Sequence, residues 1–91
     1  MDDRVEAFLK DVLALMGASP SRVSERVSFH AAQCEQMLRD GEPDPAKKDA
    51  VAAHSRTLCI ERVSHEIERS QSHDRRDHLQ LVLAVLEGAR A

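Results

Sequence analysis

The stretch LQLVLAVL, residues 79–86, decides the fold of this chain. Its alternating Leu79, Leu81, Leu83 and Val85 would suit a β-strand, but the sequence offers no second strand for it to pair with. In a helix, the apolar side chains cover about 200° of the circumference, whereas an ordinary surface helix carries a stripe of ~100°. The stretch therefore predicts a helix that must be covered on two sides.

The remainder of the chain carries the periodicity and punctuation of helices. A capping residue followed by proline, the pair typical of a helix start, occurs at Ser19-Pro20 and again at Asp44-Pro45. Apolar residues recur between these positions at the i, i+3, i+4 spacing. The predicted helices cover residues 3–16, 20–40, 45–70 and 73–88.

The predicted fold is all-α, a small bundle of three or four helices in a single domain spanning residues 1–91. Strand-forming residues are scarce, and with no Trp or Tyr and two Phe the core must consist mainly of Leu, Val and Ala. The turn near residues 42–43 predicts a central antiparallel hairpin of the second and third helices. Ser72 can cap a separate fourth helix, or the third and fourth segments can form one continuous helix.

Helix lengths indicate where a partner would bind. At ~1.5 Å per residue, the two long helices span roughly 30–40 Å and the outer two about 20–25 Å. Short helices cannot fully cover long ones, so we expect a homodimer built around the fourth segment. Phe29 lies off the apolar stripe of the second helix, as an isolated exposed residue or as an anchor for a partner. The predicted interaction surface comprises Phe29, Leu79, Leu81, Val82, Leu83, Val85 and Leu86.

The charge balance disfavours nucleic acid as the main partner. The formal net charge is −3, and affinity for a phosphate backbone depends on neutralisation by Lys and Arg. A shortage of aromatic side chains also weakens any single-strand binding interpretation. A DNA-binding regulator stays as an alternative if Arg22, Arg26 and Arg39 act as a local basic face.

The composition also suggests where the protein is found. No stretch approaches the ~18 apolar residues of a membrane span, and Asp2 and Asp3 stand where a signal peptide has basic residues. We therefore expect a cytoplasmic protein without membrane contact, whose two cysteines are free thiols. Arg outnumbers Lys ten to three, which suggests a GC-rich bacterial genome.

A candidate metal site comprises His30, Cys34 and His54. His30 and Cys34 are four residues apart, on one face of a helix, and the predicted hairpin brings His54 level with His30. Such ligands suit zinc or another transition metal. The spacing matches no standard zinc signature, however, and Cys34 lies on the core stripe, which favours packed side chains and no cofactor.

Cys59 does not join this set in the predicted geometry. It lies about 140° around the helix from His54, so one site can hardly use both residues. In the same hairpin register, Cys34 and Cys59 are about eight residues, or ~12 Å, apart along the axis, which excludes a disulfide.

A second polar cluster lies at the start of the fourth segment. His73 with Asp77 and Asp74 with His78 form two carboxylate–imidazole pairs at the i, i+4 spacing. Such pairs can bind a metal or raise the pKa of a histidine, but the same spacing stabilises solvated helices. The density of charge around them favours a solvated face or a polar recognition surface.

No catalytic template fits the sequence. No Ser lies in a glycine-flanked elbow, and the three glycines stand alone, so there is no loop to hold a phosphate. We therefore expect a small non-catalytic interaction or regulatory protein that acts through helix-mediated self-association or protein binding. The alternatives are a metal- or thiol-dependent sensor or enzyme and, further off, the DNA-binding regulator.

Overall fold

Four α-helices make up the structure, a computed structural model that describes residues 2–88. The helices are α1 (Asp3–Leu13), α2 (Pro20–Gly41), α3 (Lys48–Arg69) and α4 (His73–Leu86), and a short 3-10 turn, Pro45–Lys47, precedes α3. No strand occurs between residues 2 and 88, which confirms the all-α prediction for this part of the chain. None of these helices has the length and apolar character needed to cross a membrane.

Most of these elements begin at a residue whose side chain caps the first turn. Each capping oxygen accepts a hydrogen bond from a backbone N–H of the first turn, which has no partner within the helix. Ser72, for example, accepts from the backbone nitrogen of Arg75 at 3.2 Å. The caps are Asp2 for α1, Ser19 for α2, Asp44 for the 3-10 turn and Ser72 for α4.

Several predicted helix ends differ from the observed ones. α1 stops at Leu13, because the chain tightens into i→i+3 hydrogen bonds after it and then reaches Gly17 with φ +92°. The third helix begins at Lys48, after the 3-10 turn. Ser70 is extended, with φ −75° and ψ 134°, so α3 and α4 are separate helices.

The core receives side chains from all four helices. Every contributor except Ser55 is apolar or a cysteine, as the composition predicts. The buried residues are Val5, Phe8, Leu9 and Val12 of α1, Val23, Val27, Cys34 and Leu38 of α2, Ala52, Ser55, Cys59 and Val63 of α3, and Leu79, Val82 and Leu86 of α4.

The interface between α2 and α3 is the most extensive in the structure. Near the connection, Arg39 Nη1 lies 3.1 Å from Asp49 Oδ1. Farther from the connection, Cys34 faces Cys59. Earlier residues of α2 therefore contact later residues of α3.

An ion-pair network joins α1, α3 and α4 on one side of the bundle. Arg62 binds Glu6 of α1 and, at 3.0 Å, Glu66 of its own helix, while Arg75 of α4 lies 3.6 Å from Glu66. The guanidinium of Arg62 holds the pKa of the Glu6 carboxyl below its usual value. The network fixes the N-terminal half of α1 against α3.

Candidate functional site

The apolar face of α4 belongs largely to the core of the chain itself. Leu79, Val82 and Leu86, which the sequence placed on an interaction surface, are buried among the other helices of the same chain in this conformation. α2 and α3 both pack against α4, and α1 also contacts it, so helices of the same chain lie against both sides of the wide apolar arc. The remaining predicted contact residues of α4 are half-buried against the core: Leu81, Leu83 and Val85.

Phe29 is the most exposed large apolar side chain among residues 2–88, with 51% of its surface accessible. The guanidinium carbon of Arg26 lies 4.6 Å from the centre of its ring, close enough for a cation–π contact. The ring of His30 meets it edge-on, with 5.4 Å between the ring centres. These neighbours hold the Phe29 ring in place while one side of it faces solvent.

Phe29 lies on what we call the outer face of α2, defined by Arg22, Phe29, Gln33 and Asp40. At 100° per residue these four positions fall within about 40° of one another. All four are exposed, and the core residues of α2 project from the other side of the helix, about 130° away. Met37, 39% exposed, lies at the edge of this face, where its carbonyl accepts a hydrogen bond from Arg4 of α1.

The charges on the outer face oppose the dipole of α2. Arg22 lies near the positive N-terminus, Asp40 lies near the negative C-terminus, and the first turn contains no acidic residue. Each charge placed in this way costs about 0.3–1 kcal/mol at an exposed position. Asp40 accepts a hydrogen bond from Gln36 at 2.8 Å, and among residues 2–88 Arg22 forms no ion pair that would offset the cost.

The three arginines of the DNA-binding alternative do not act alike. Arg39 pairs with Asp49 of α3, Arg26 covers Phe29, and only Arg22 extends from the outer face without a charged partner in the described part of the chain. These contacts do not present the three guanidinium groups together as a basic face.

The predicted metal site is not assembled. His30 Nδ1 lies 3.5 Å from Asp11 Oδ2 of α1, Cys34 points into the core, and His54 is exposed on α3. His54 adjoins the buried Ser55, and the 100° step between neighbours turns it outward. Residues 2–88 contain no group of three His, Cys, Asp or Glu side chains placed to hold a metal ion, so the structure does not bring His30, Cys34 and His54 together.

Cys34 and Cys59, in contrast, lie side by side. Their sulfur atoms are 3.9 Å apart, with the Cys59 thiol donating toward Cys34, so the predicted separation of ~12 Å is wrong. The predicted fold-back point near residues 42–43 caused the error. The midpoint of the observed pair is near residues 46–47, inside the 3-10 turn, because the whole connection from Glu42 to Lys47 lies between the helices.

The two thiols differ in acidity because one donates to the other. The hydrogen bond from Cys59 lowers the pKa of the Cys34 thiol, because it stabilises the thiolate form of Cys34. The same hydrogen bond and the burial of Cys59 raise the pKa of its own thiol. Proton loss from the pair therefore occurs first at Cys34.

Ser55 lies next to both sulfur atoms. Its hydroxyl oxygen is buried and has no hydrogen-bond partner among the described residues. Ser55 also lines a cavity of about 160 Å³ between α2, α3 and α4, whose wall includes Ala31, Arg56 and Val85. A liquid water occupies about 30 Å³, so molecules of that size fit next to Ser55.

The polar cluster of α4 is only partly assembled. His73 and Asp77 form the predicted i, i+4 pair, 3.7 Å apart, and both are exposed. His78 is half-buried, and its Nε2 lies 2.7 Å from the carbonyl oxygen of Val12. Within the described residues, His78 forms no ion pair with Asp74. Asp74 is exposed in the first turn of α4, where its negative charge interacts favourably with the helix dipole.

Comparison with protein families, with curated proteins and with solved structures gives no match for this chain. The outer face of α2 and the paired thiols are therefore the features of the molecule that bear on its function.

Proposed function

We propose that this protein is a small, non-catalytic interaction protein that pairs with a second copy of itself through the outer face of α2. The observation that carries the proposal is the exposure of Phe29 on a face that points away from the core. In this proposal the antiparallel hairpin of α2 and α3 is the frame that presents the face. We expect the protein to act in the cytoplasm, where thiols stay reduced.

Charge complementarity favours a second copy as the occupant. Consider two α2 helices that pack antiparallel through their outer faces, with position 31 of each copy at the same level along the axis. Arg22 of each copy then meets Asp40 of the other, and Phe29 meets Gln33. The two Arg22–Asp40 positions are 18 residues apart, about 27 Å along the helix, so both ion pairs form at once. Each pair offsets the charges that oppose the helix dipole within a single chain.

The size of the face sets the expected affinity. One side of a 22-residue helix is about 33 Å long and 10 Å wide, or roughly 330 Å² per copy. A standard stable interface contributes about 800 Å² per partner. We therefore expect a reversible dimer with a dissociation constant in the micromolar range or weaker, sensitive to salt because its charges are exposed.

The Phe29→Ala variant is expected to weaken self-association at least tenfold, roughly the loss of one interface anchor. Sedimentation equilibrium of the wild type across a wide concentration range should show the average mass rising from 10.2 kDa toward twice that value. Met16→Ala is the matched control, since Met16 is 39% exposed but lies outside α2. A wild-type mass that stays at one chain, or an unchanged Phe29→Ala association constant, would contradict the proposal.

A further inference from the structure

The paired thiols of Cys34 and Cys59 carry a second inference, independent of the outer face of α2. Cys34 is 3% exposed and Cys59 is fully buried, yet the two sulfur atoms are 3.9 Å apart, across the interface of α2 and α3. The residues lie 25 positions apart in the chain. Two sulfur atoms this close need only a small side-chain movement to reach the ~2.05 Å of a disulfide bond.

A cavity that can hold a small oxidant lies near the pair. Ser55 lies near the thiols and also lines the cavity between α2, α3 and α4. Neither cysteine lines this cavity, so Ser55 separates a peroxide there from the sulfur atoms. Hydrogen peroxide is only slightly larger than water, so a cavity of about 160 Å³ admits it.

We propose that Cys34 and Cys59 are a redox site, at which a peroxide converts the two thiols into an intrachain disulfide that locks α2 to α3. The Cys34 thiolate attacks one oxygen of the peroxide, the O–O bond breaks, and hydroxide leaves with the electron pair. Cys34 becomes a sulfenic acid. The sulfur of Cys59 then attacks the sulfur of Cys34, and the sulfenic oxygen leaves as water. Two thiols and one peroxide thus give one disulfide and two waters.

The order of these steps follows from the hydrogen bond between the thiols. Because Cys59 donates to Cys34, Cys34 is the sulfur that more readily becomes a thiolate. Cys59 keeps its proton until Cys34 has been oxidised, and it then resolves the sulfenic acid. The adjacent position of Cys59 favours the disulfide over further oxidation of Cys34.

The disulfide should stabilise the fold, because it links α2 to α3 across the most extensive interface of the chain. Closing a loop of this length in the unfolded chain corresponds to a rise in Tm on the order of 10 °C for a domain of this size. The oxidised protein should return to its original Tm when a dithiol reductant cleaves the disulfide.

Peptide mapping of the whole protein after mild treatment with hydrogen peroxide, without reductant, tests the proposal. We expect one linked peptide pair containing Cys34 and Cys59, a mass about 2 Da lower for the intact chain, and the higher Tm. The Cys59→Ser variant should accumulate a sulfenic acid at Cys34 that dimedone traps. In Cys34→Ser, Cys59 should remain unlabelled.

Other results would overturn the proposal. These are the lack of a Cys34–Cys59 peptide after treatment of the native protein, a link that forms only in denaturant, or disulfides only between chains. Dimedone labelling of Cys59 in Cys34→Ser, with none of Cys34 in Cys59→Ser, would overturn the assigned order. Cys34 lies on the inner side of α2, so sedimentation of the reduced protein reports on self-association separately from this test.

Discussion

Phe8→Ala is expected to lower the free energy of unfolding by about 3–5 kcal/mol. Phe8 is 2% exposed and has the largest side chain in the core. Its truncation removes the transfer free energy of the ring and leaves a cavity that the surrounding aliphatic residues fill only partly. A chain of 91 residues has a total stability of about 5–14 kcal/mol, so this loss brings the variant close to unfolding.

The other phenylalanine of the chain supplies a matched control. Phe29→Ala should change the stability of the single chain by less than about 0.5 kcal/mol, because half of the ring already faces solvent. Urea unfolding followed by far-UV circular dichroism measures both variants, since without Trp or Tyr the chain gives little intrinsic fluorescence. Equal losses for the two variants would show that Phe29 is packed and would remove the basis for a contact surface on α2.

Leu79→Ala is expected to cost about 2–5 kcal/mol, because Leu79 is fully buried between α4 and the other helices. Leu81→Ala is the same change two residues along the helix, at a side chain that is only half-buried. We expect Leu81→Ala to cost about half as much or less, since less apolar area returns to water.

This pair of variants separates two explanations of the apolar α4. If α4 completes the core of the single chain, the difference between the variants appears in urea unfolding at low protein concentration. If α4 were instead the surface between two copies, Leu79→Ala would leave the stability of the single chain unchanged and lower only the association constant. That second result would contradict the packing described above.

The wide apolar arc of residues 79–86 shows how much of the helix packing can be predicted from the sequence. The arc predicted that other elements pack against two sides of α4, which the structure confirms. The arc alone does not identify those elements. Helix lengths suggested a second copy, whereas α2 and α3 of the same chain supply the contacts. The tilt and position of packed helices depend on side-chain interdigitation, which periodicity does not describe.

The hairpin register shows why the thiol pair was missed. Placing the fold-back point near residues 42–43 treats the connection as a short turn, but the observed connection runs to Lys47 and includes a 3-10 turn. A shift of four residues in that point moves the facing position on α3 by eight residues. Cys59, on the inward side of α3, thus moves from a predicted ~12 Å to contact with Cys34.

Other features were accessible from local pattern alone. The sequence predicted helix caps at Ser19 and Asp44 and a possible cap at Ser72. Ser and Asp side chains can accept hydrogen bonds from backbone N–H groups near them in the chain, which favours these residues at helix starts. The off-stripe position of Phe29 likewise followed from the 100° step of the helix. The contact that we propose between Arg22 of one copy and Asp40 of the other was not predicted from the sequence, although the shared helical angle of the two residues and their unfavourable placement in the helix dipole follow from it.

The central claim is that two copies pair through antiparallel α2 helices, and a charge-reversal cycle measured by sedimentation equilibrium tests it most directly. Arg22→Asp and Asp40→Arg should each weaken dimerisation roughly tenfold, because each change turns two attractions into two repulsions. Each should also slightly stabilise the single chain, since it corrects a charge that opposes the helix dipole. The double variant should recover the wild-type association constant. Single variants that associate as well as the wild type, or a double variant as weak as the singles, would contradict the account.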